Sequence, residues 1–337
     1  MPNILITGAS GFIGSFLVEE ALNRGLTVFA GVRKSSSLHY LQDPRIRFAE
    51  MDFSSKSLLA SFLLDHQKNG VVFDYIIHNA GLTKSQKKED FYRVNCTYPE
   101  NFIKALLETG LLPVKFVYIS SLAAYGPGDP ESMKPVMLGD IPRPVDEYGR
   151  SKLKAEQFIT SVQGFPWLII RPSGVYGPRE KDYFVYFKTI HQGMEPYIGN
   201  KPQILTFIYV RDLARLVIDA AMSGIKEKSY FVTDGKEYDS REFAEISKKH
   251  LNKKTIRMTM PLWFVGGAAF VMEKMFGIWG RMPTLNTDKF NIMKSVNWTC
   301  QVDPLLKDFS FRAEYDLDKG VKEAIEWYRN EGWLKGR

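Results

Sequence analysis

The sequence predicts an α/β protein built on a Rossmann-type, doubly wound parallel sheet, with a smaller, mostly helical C-terminal region on the substrate side. Three observations predict it. Short, continuously apolar runs alternate with helix-period segments through the first half of the chain, as in parallel strands buried on both faces. The first run opens into a glycine-rich turn and then an amphipathic helix. From Glu180 onward the rhythm changes, and Tyr, Phe, Trp and Met become denser.

The first strand begins at Asn3. It leads into Gly8-Ala9-Ser10-Gly11-Phe12-Ile13-Gly14 and a helix whose apolar positions continue through Phe16, Leu17, Val18, Ala21 and Leu22. Gly8 permits a tight turn, Gly11 lets backbone approach a pyrophosphate, and Gly14 lets the helix pack closely on the strand. A turn of this kind at a helix N-terminus is a phosphate cradle. The glycine spacing is one residue wider at the front than the commonest dinucleotide fingerprint.

A second strand runs from Leu26 to Arg33 and a third from Ile46 to Asp52, followed by a helix through Leu58 to Leu64. Asp74 to Gly81 reads as the fourth strand and Phe91 to Leu107 as a helix. Lys115 to Ser121 is the fifth strand, Tyr148 to Val162 a helix and Trp167 to Pro172 the sixth strand. Beyond these, helices at Val210 to Met222 and Ser240 to His250 are separated by strand-like pieces at Thr206 to Tyr209 and Ser229 to Val232. Gly320 to Gly332 forms a last helix, with Val321, Ile325 and Tyr328 at helical spacing. A dinucleotide-binding domain over 1–178 and a substrate region over 179–337 follow, with later segments free to return to the first. Ligands of such sheets sit at the carboxyl ends of the strands, so the segments after each strand are the ones that carry chemistry.

Tyr148 and Lys152 stand four residues apart at the start of a helix, on one face. A phenol is a poor acid or base at neutral pH, with a pKa of about 10, and a neighbouring ammonium brings it down. Ser120 and Ser121 end the fifth strand; a hydroxyl there orients a substrate oxygen beside the tyrosine or merely caps a turn. No His or carboxylate pattern makes either serine a hydrolase nucleophile. The second strand carries Gly31 about where an NAD-binding acid stands, followed by Arg33, Lys34 and Ser35. An arginine in that place accommodates a 2′-phosphate, so NADP is expected ahead of NAD.

The 337 residues, 45% of them apolar, suffice for one large or two medium domains. Two cysteines, Cys96 and Cys300, stand in no metal-ligand spacing, so neither a disulfide framework nor a metal site is expected. With a strand starting at Asn3, a cytoplasmic protein is expected. The net charge of +7 favours anionic partners, but no basic stripe with interleaved aromatics marks a nucleic-acid surface. Pro261 to Met272 is the most apolar run and is interrupted by Glu273 and Lys274 before it reaches a spanning length. It reads as a core or lid helix, with a weak membrane-surface contact at Leu262 to Met272 as the alternative.

Taken together, Thr7 to Gly14, His78-Asn79-Ala80-Gly81, the double serine, Tyr148-x-x-x-Lys152 and the Arg171 to Arg179 segment resemble the extended short-chain dehydrogenase/reductase family. That family includes nucleotide-sugar epimerases and dehydratases, dihydroflavonol-type carbonyl reductases and hydroxysteroid dehydrogenases. The resemblance covers nearly the whole chain. It implies that Gly8, Ser10, Gly11, Phe12, Ile13 and Gly14 hold the pyrophosphate and that Asp52 and Phe53 lie on the adenine side. It further implies that Asn79, Ala80, Gly81 and Asn95 line the cofactor, with Pro172, Ser173 and Val175 at the nicotinamide end. Ser121, Tyr148 and Lys152 become the catalytic set, with Ser120 as the minor alternative to Ser121. A dehydratase of the family usually carries an acidic pair where this chain has Leu122 and Ala123. The expectation is an oxidoreductase moving hydride between NADP(H) and a carbonyl or secondary alcohol, in a homodimer. A nucleotide-sugar epimerase with tightly bound NAD is the alternative, and a non-catalytic dinucleotide-binding protein the second.

Overall fold

The structure, a computed structural model, describes residues 1–278 and 285–334. The chain runs β1 (Asn3–Thr7), α1 (Phe12–Asn23), β2 (Thr27–Val32), β3 (Arg47–Glu50), α2 (Lys56–Lys68), β4 (Tyr75–His78), α3 (Lys88–Tyr92), a π-helical turn (Arg93–Thr97), α4 (Tyr98–Thr109), β5 (Lys115–Ile119), α5 (Glu147–Ser161) and β6 (Trp167–Pro172). It continues with β7 (Gly174–Tyr176), α6 (Asp182–His191), β8 (Met194–Ile198), β9 (Ile204–Leu205), β10 (Phe207–Tyr209), α7 (Val210–Met222), β11 (Lys228–Val232), β12 (Tyr238–Asp239) and α8 (Ser240–Leu251). The last elements are β13 (Ile256–Met260), α9 (Leu262–Ile278), α10 (Thr287–Lys294), β14 (Asn297–Trp298), α11 (Asp303–Phe309) and α12 (Leu317–Asn330).

Seven strands form the main sheet in the order β11-β6-β5-β4-β1-β2-β3. From β3 through β6 every neighbour is parallel. Because β1 pairs with both β2 and β4, strand order reverses beside β1, and that switch point opens the ligand crevice of a doubly wound fold. Ile4, Leu5 and Ile6, like Ile76 and Ile77, have no solvent exposure; burial on both faces is why these strands read as continuous apolar runs.

The boundaries differ from the sequence reading in a physically regular way. The fourth strand stops at His78 and the fifth at Ile119, since Asn79 to Gly81 and Ser120 to Ser121 leave the ladder at the sheet's carboxyl edge. The helix expected from Phe91 to Leu107 is two helices joined by the π-helical turn, an insertion that side-chain periodicity does not reveal.

Contacts divide the chain into two units. The first comprises Met1–Ala124, Tyr148–Arg171 and Leu213–Tyr230, and the second Tyr125–Glu147, Pro172–Asp212 and Phe231–Arg337. The chain therefore changes unit several times, and Leu213–Tyr230 is a later segment that belongs to the first. Within the second unit, three small sheets, β12-β9-β14, β10-β7 and β13-β8, accompany the helices. Its core gathers Tyr176, Phe187, Phe207 and Phe243 with Val321, Ile325 and Tyr328 of α12. α9, the most apolar helix, is mostly exposed; among its described residues Val265 and Ala269 are buried.

Candidate active site

The glycine-rich turn joins β1 to α1 by close backbone contacts. Gly8 has φ +65°, and a Cβ there would stand 2.8 Å from the backbone of Ala80, so both the turn and the approach of β4's end require glycine. A Cβ on Gly14 would lie 2.1 Å from the Gly8 carbonyl oxygen, which seats α1 directly on the turn. Gly11, exposed, is the N-cap of α1; no side chain caps the helix and its first turn holds no acidic residue. The amides of Phe12, Ile13 and Gly14 are those a helix leaves without an intrahelical acceptor, at the positive end of its dipole. Ser10, half-buried, sits within the same turn. This cradle fits a dinucleotide pyrophosphate.

The next segment is held to the turn. The Ala80 amide donates to Thr7 Oγ1 (3.1 Å) and Asn79 Nδ2 to the Gly8 carbonyl (3.4 Å). Thr7 Oγ1 lies 3.2 Å from His78 Nδ1, a contact that either imidazole tautomer can make because the hydroxyl both donates and accepts; His78 Nε2 is buried without a hydrogen-bond partner among the described residues. His78 is fully buried, with the Phe53 ring 5.5 Å away. Burial, reinforced by the Lys152 charge, pushes its pKa down to about 3. Below the unfolded value of about 6.5 the unfolded chain binds a proton that the folded chain refuses, so stability falls as pH drops through that window. We expect a loss of about 2 kcal/mol between pH 7 and pH 5 from this group, read as a lower urea midpoint. A His78→Gln variant should flatten that dependence; an unchanged slope would show that His78 is not the group responsible.

Lys152 is buried on α5 and donates from Nζ to the Ile119 carbonyl at 2.7 Å, over the Tyr118 ring at 4.6 Å. Burial lowers its pKa to about 8, opposed by the Glu156 carboxylate. One of its three donors is thus used. A Cβ on Gly81 would stand 3.3 Å from Lys152 Nζ, so the backbone after β4 comes up to the ammonium with no side chain intervening. Tyr148, half-buried, lies one turn before it on α5.

The two serines separate by environment. Ser120 is buried and its hydroxyl donates to Glu156, which also takes Arg171 in a fork, Nη2 to Oε2 at 2.8 Å and Nε to Oε1 at 3.0 Å. Ser121 is half-buried, and its Oγ accepts from the Ala123 amide at 3.1 Å, a bond that leaves its hydrogen for another acceptor. Ser121 therefore suits an external oxygen and Ser120 does not. The Ser120, Glu156 and Arg171 network was not foreseen from the sequence; its signal was a lone arginine inside the apolar run Leu168 to Pro172.

Asn95, placed by the π-helical turn, exchanges hydrogen bonds with Leu82 (2.7 and 2.9 Å) and donates to Ser151 Oγ at 3.0 Å. It braces the loop after β4 against α5. At the end of β2, Arg33 is exposed, and its amide donates to Ser36 Oγ at 3.0 Å. Gly31 is packed: a Cβ would come within 3.1 Å of the backbone at Ile6 and Thr7, so no carboxylate fits there. Asp52 is exposed and accepts from the Ser54 amide at 2.9 Å; the Ser54 hydroxyl first, and then this amide, lower its pKa. The Phe53 ring instead enters the core against Phe102, so only its backbone remains for a ligand.

The sequence model of the NAD dependent epimerase/dehydratase family matches residues 4–232. The chain belongs to that family. Members are nicotinamide-dependent oxidoreductases, epimerases and dehydratases, and this chain is an enzyme of that group. It is 24% identical over 346 residues to a sterol-4-alpha-carboxylate 3-dehydrogenase, decarboxylating, of Dictyostelium discoideum, covering 96% of this chain and 100% of that one. It is 25% identical over 341 residues to the UDP-glucose 4-epimerase of Vibrio cholerae, covering 97% and 95%. Its fold matches the crystal structure of gox2253 with a TM-score of 0.81 at 22% identity, covering 99% and 100%. Pro172, Ser173 and Val175, which the resemblance puts at the nicotinamide end, belong to the second unit. Pro172 is buried, the Ser173 amide donates to the Val232 carbonyl at 3.0 Å, and Val175 pairs with Ile208 between β7 and β10. Ser173 Oγ is buried without a hydrogen-bond partner among the described residues, an orphaned polar atom of the kind a ligand satisfies.

Proposed function

We propose that this enzyme is an NADP(H)-dependent oxidoreductase acting between a carbonyl and a secondary alcohol. The observation that carries the reading is the anchored Lys152 ammonium, one helical turn from Tyr148 and fixed to the end of the strand that delivers Ser121. The nicotinamide dinucleotide supplies or accepts the hydride. Tyr148 gives its phenolic proton to the carbonyl oxygen, or takes one from the alcohol in reverse. Lys152 stabilises the phenolate and offers its remaining donors to a ribose hydroxyl, while Ser121 donates to the substrate oxygen. The cradle of Gly8, Gly11 and Gly14, with the Phe12 and Ile13 amides, holds the pyrophosphate.

The preference for NADP rests on the end of β2. A side chain at Gly31 would strike backbone, and the exposed Arg33 is the first cation beyond the strand; a guanidinium there pairs with a 2′-phosphate. Arg33→Ala is expected to weaken NADPH binding about tenfold to a hundredfold and to leave NADH binding nearly unchanged, as read by fluorescence titration. Equal loss for both nucleotides would remove Arg33 from that role. The relative named as a UDP-glucose 4-epimerase supports a second reading, internal hydride return on tightly held NAD, which the same titration tests.

A further inference from the structure

A helix that is apolar all round belongs in a protein core or a membrane, and α9 is in no core. One narrow stripe of it, Val265 and Ala269, is buried, and Gly266 lies against the Phe290 ring. The opposite stripe faces outward: Trp263 is 78% exposed, Phe264 53%, Phe270 60% and Met275 58%. The strand that leads into α9, β13, also exposes Ile256 and Met258. Among the described residues, nine exposed large apolar side chains fall between Ile256 and Phe276. Exposed apolar surface concentrated in this way along α9 marks an interaction surface.

The charge around it identifies the partner. Residues 253–294 hold seven Lys or Arg against two Asp or Glu, so five of the chain's seven net positive charges sit in that stretch. Exposed Lys274 lies on the outward stripe itself, its Nζ 5.8 Å from the Phe270 ring centre, and exposed Lys254 and Lys294 stand just before β13 and at the end of α10. Aromatic and methionine side chains framed by lysines suit a headgroup region, where indole rings prefer the interface and cations meet anionic lipid. No described helix is long and apolar enough to cross a membrane. We infer that α9 and β13 form a peripheral docking surface for an anionic phospholipid membrane, with α9 lying in the plane of the headgroups. The inference stands apart from the reading of the reaction, since none of these residues belongs to the proposed catalytic set.

Flotation of the full chain with phosphatidylcholine vesicles, with and without phosphatidylglycerol, tests it. Binding is expected on the phosphatidylglycerol vesicles, at least about tenfold above phosphatidylcholine alone, and it should weaken at high salt. Trp263→Glu with Phe270→Glu should abolish flotation while NADPH titration stays unchanged; Lys254→Glu with Lys274→Glu, which spares all apolar packing, should weaken it severalfold. Failure of the unaltered protein to float on anionic vesicles overturns the inference, as does flotation that both pairs of substitutions leave intact. A dimer that Trp263→Glu converts to monomer, with no vesicle binding, would overturn it in favour of self-association.

Discussion

Tyr148→Phe is expected to lower turnover about 10²–10⁴-fold while NADPH still binds with unchanged affinity. The substitution keeps the ring and removes one oxygen, so packing at the start of α5 is preserved. Lys152 keeps its bond to the Ile119 carbonyl and Ser121 its acceptor bond from Ala123. What disappears is the proton that must reach the carbonyl oxygen as hydride arrives. NADPH oxidation against ketones and aldehydes, beside a binding titration, reads the two effects separately. A fall in cofactor affinity matching the fall in turnover would instead make the tyrosine a binding residue.

The second large effect is on stability. Arg171→Met is expected to cost about 3–5 kcal/mol, because it strands the Glu156 carboxylate, 3% exposed, without its forked partner. Arg171 also donates to Ser229 Oγ at 2.9 Å, so the one guanidinium ties β6 to α5 and to β11. Changing Glu156→Gln in the same chain should recover part of the loss, since no unpaired charge is then buried. Urea unfolding of the single and double variants checks this; a single variant that unfolds like the unaltered protein would contradict the buried pairing. The network also reaches the candidate site. Glu156 opposes the lowering of the Lys152 pKa by burial, so Glu156→Gln alone should carry that pKa further down.

How much of this was legible in the sequence depends on the kind of signal. Strands such as Asn3–Thr7 and Lys115–Ile119 are buried on both faces and flanked by turn residues, so their apolar runs announce them. The glycines of the first turn were legible because each meets a distinct constraint, a positive φ at Gly8 and backbone contact at Gly14. Tyr148 and Lys152 were legible from spacing on a helix. The choice of Ser121 over Ser120 rested on resemblance, and its physical basis became visible only with Glu156. That carboxylate sits in Lys154-Ala155-Glu156-Gln157, a stretch that reads as a solvated helix face. Its burial depends on Arg171 from a strand 15 residues away in sequence, which local pattern cannot supply. Asn95 was singled out from the resemblance as lining the cofactor; the hydrogen bonds of its amide to Leu82 and Ser151 join segments distant in sequence, which local pattern does not supply. The apolar run at Leu262 to Met272 was read first as a core or lid helix, since composition reports hydrophobicity and not which side of a helix finds a partner.

An oxidoreductase that works on NADP(H) as proposed must release its spent cofactor to solution at each turnover. Protein purified without added nucleotide, assayed for bound cofactor and then titrated separately with NADPH and NADH, tests it most directly. The expected result is a protein free of nucleotide that binds NADPH at least about tenfold more tightly than NADH. Tightly retained NAD that added NADPH does not displace would contradict it and turn the search for substrates to nucleotide sugars.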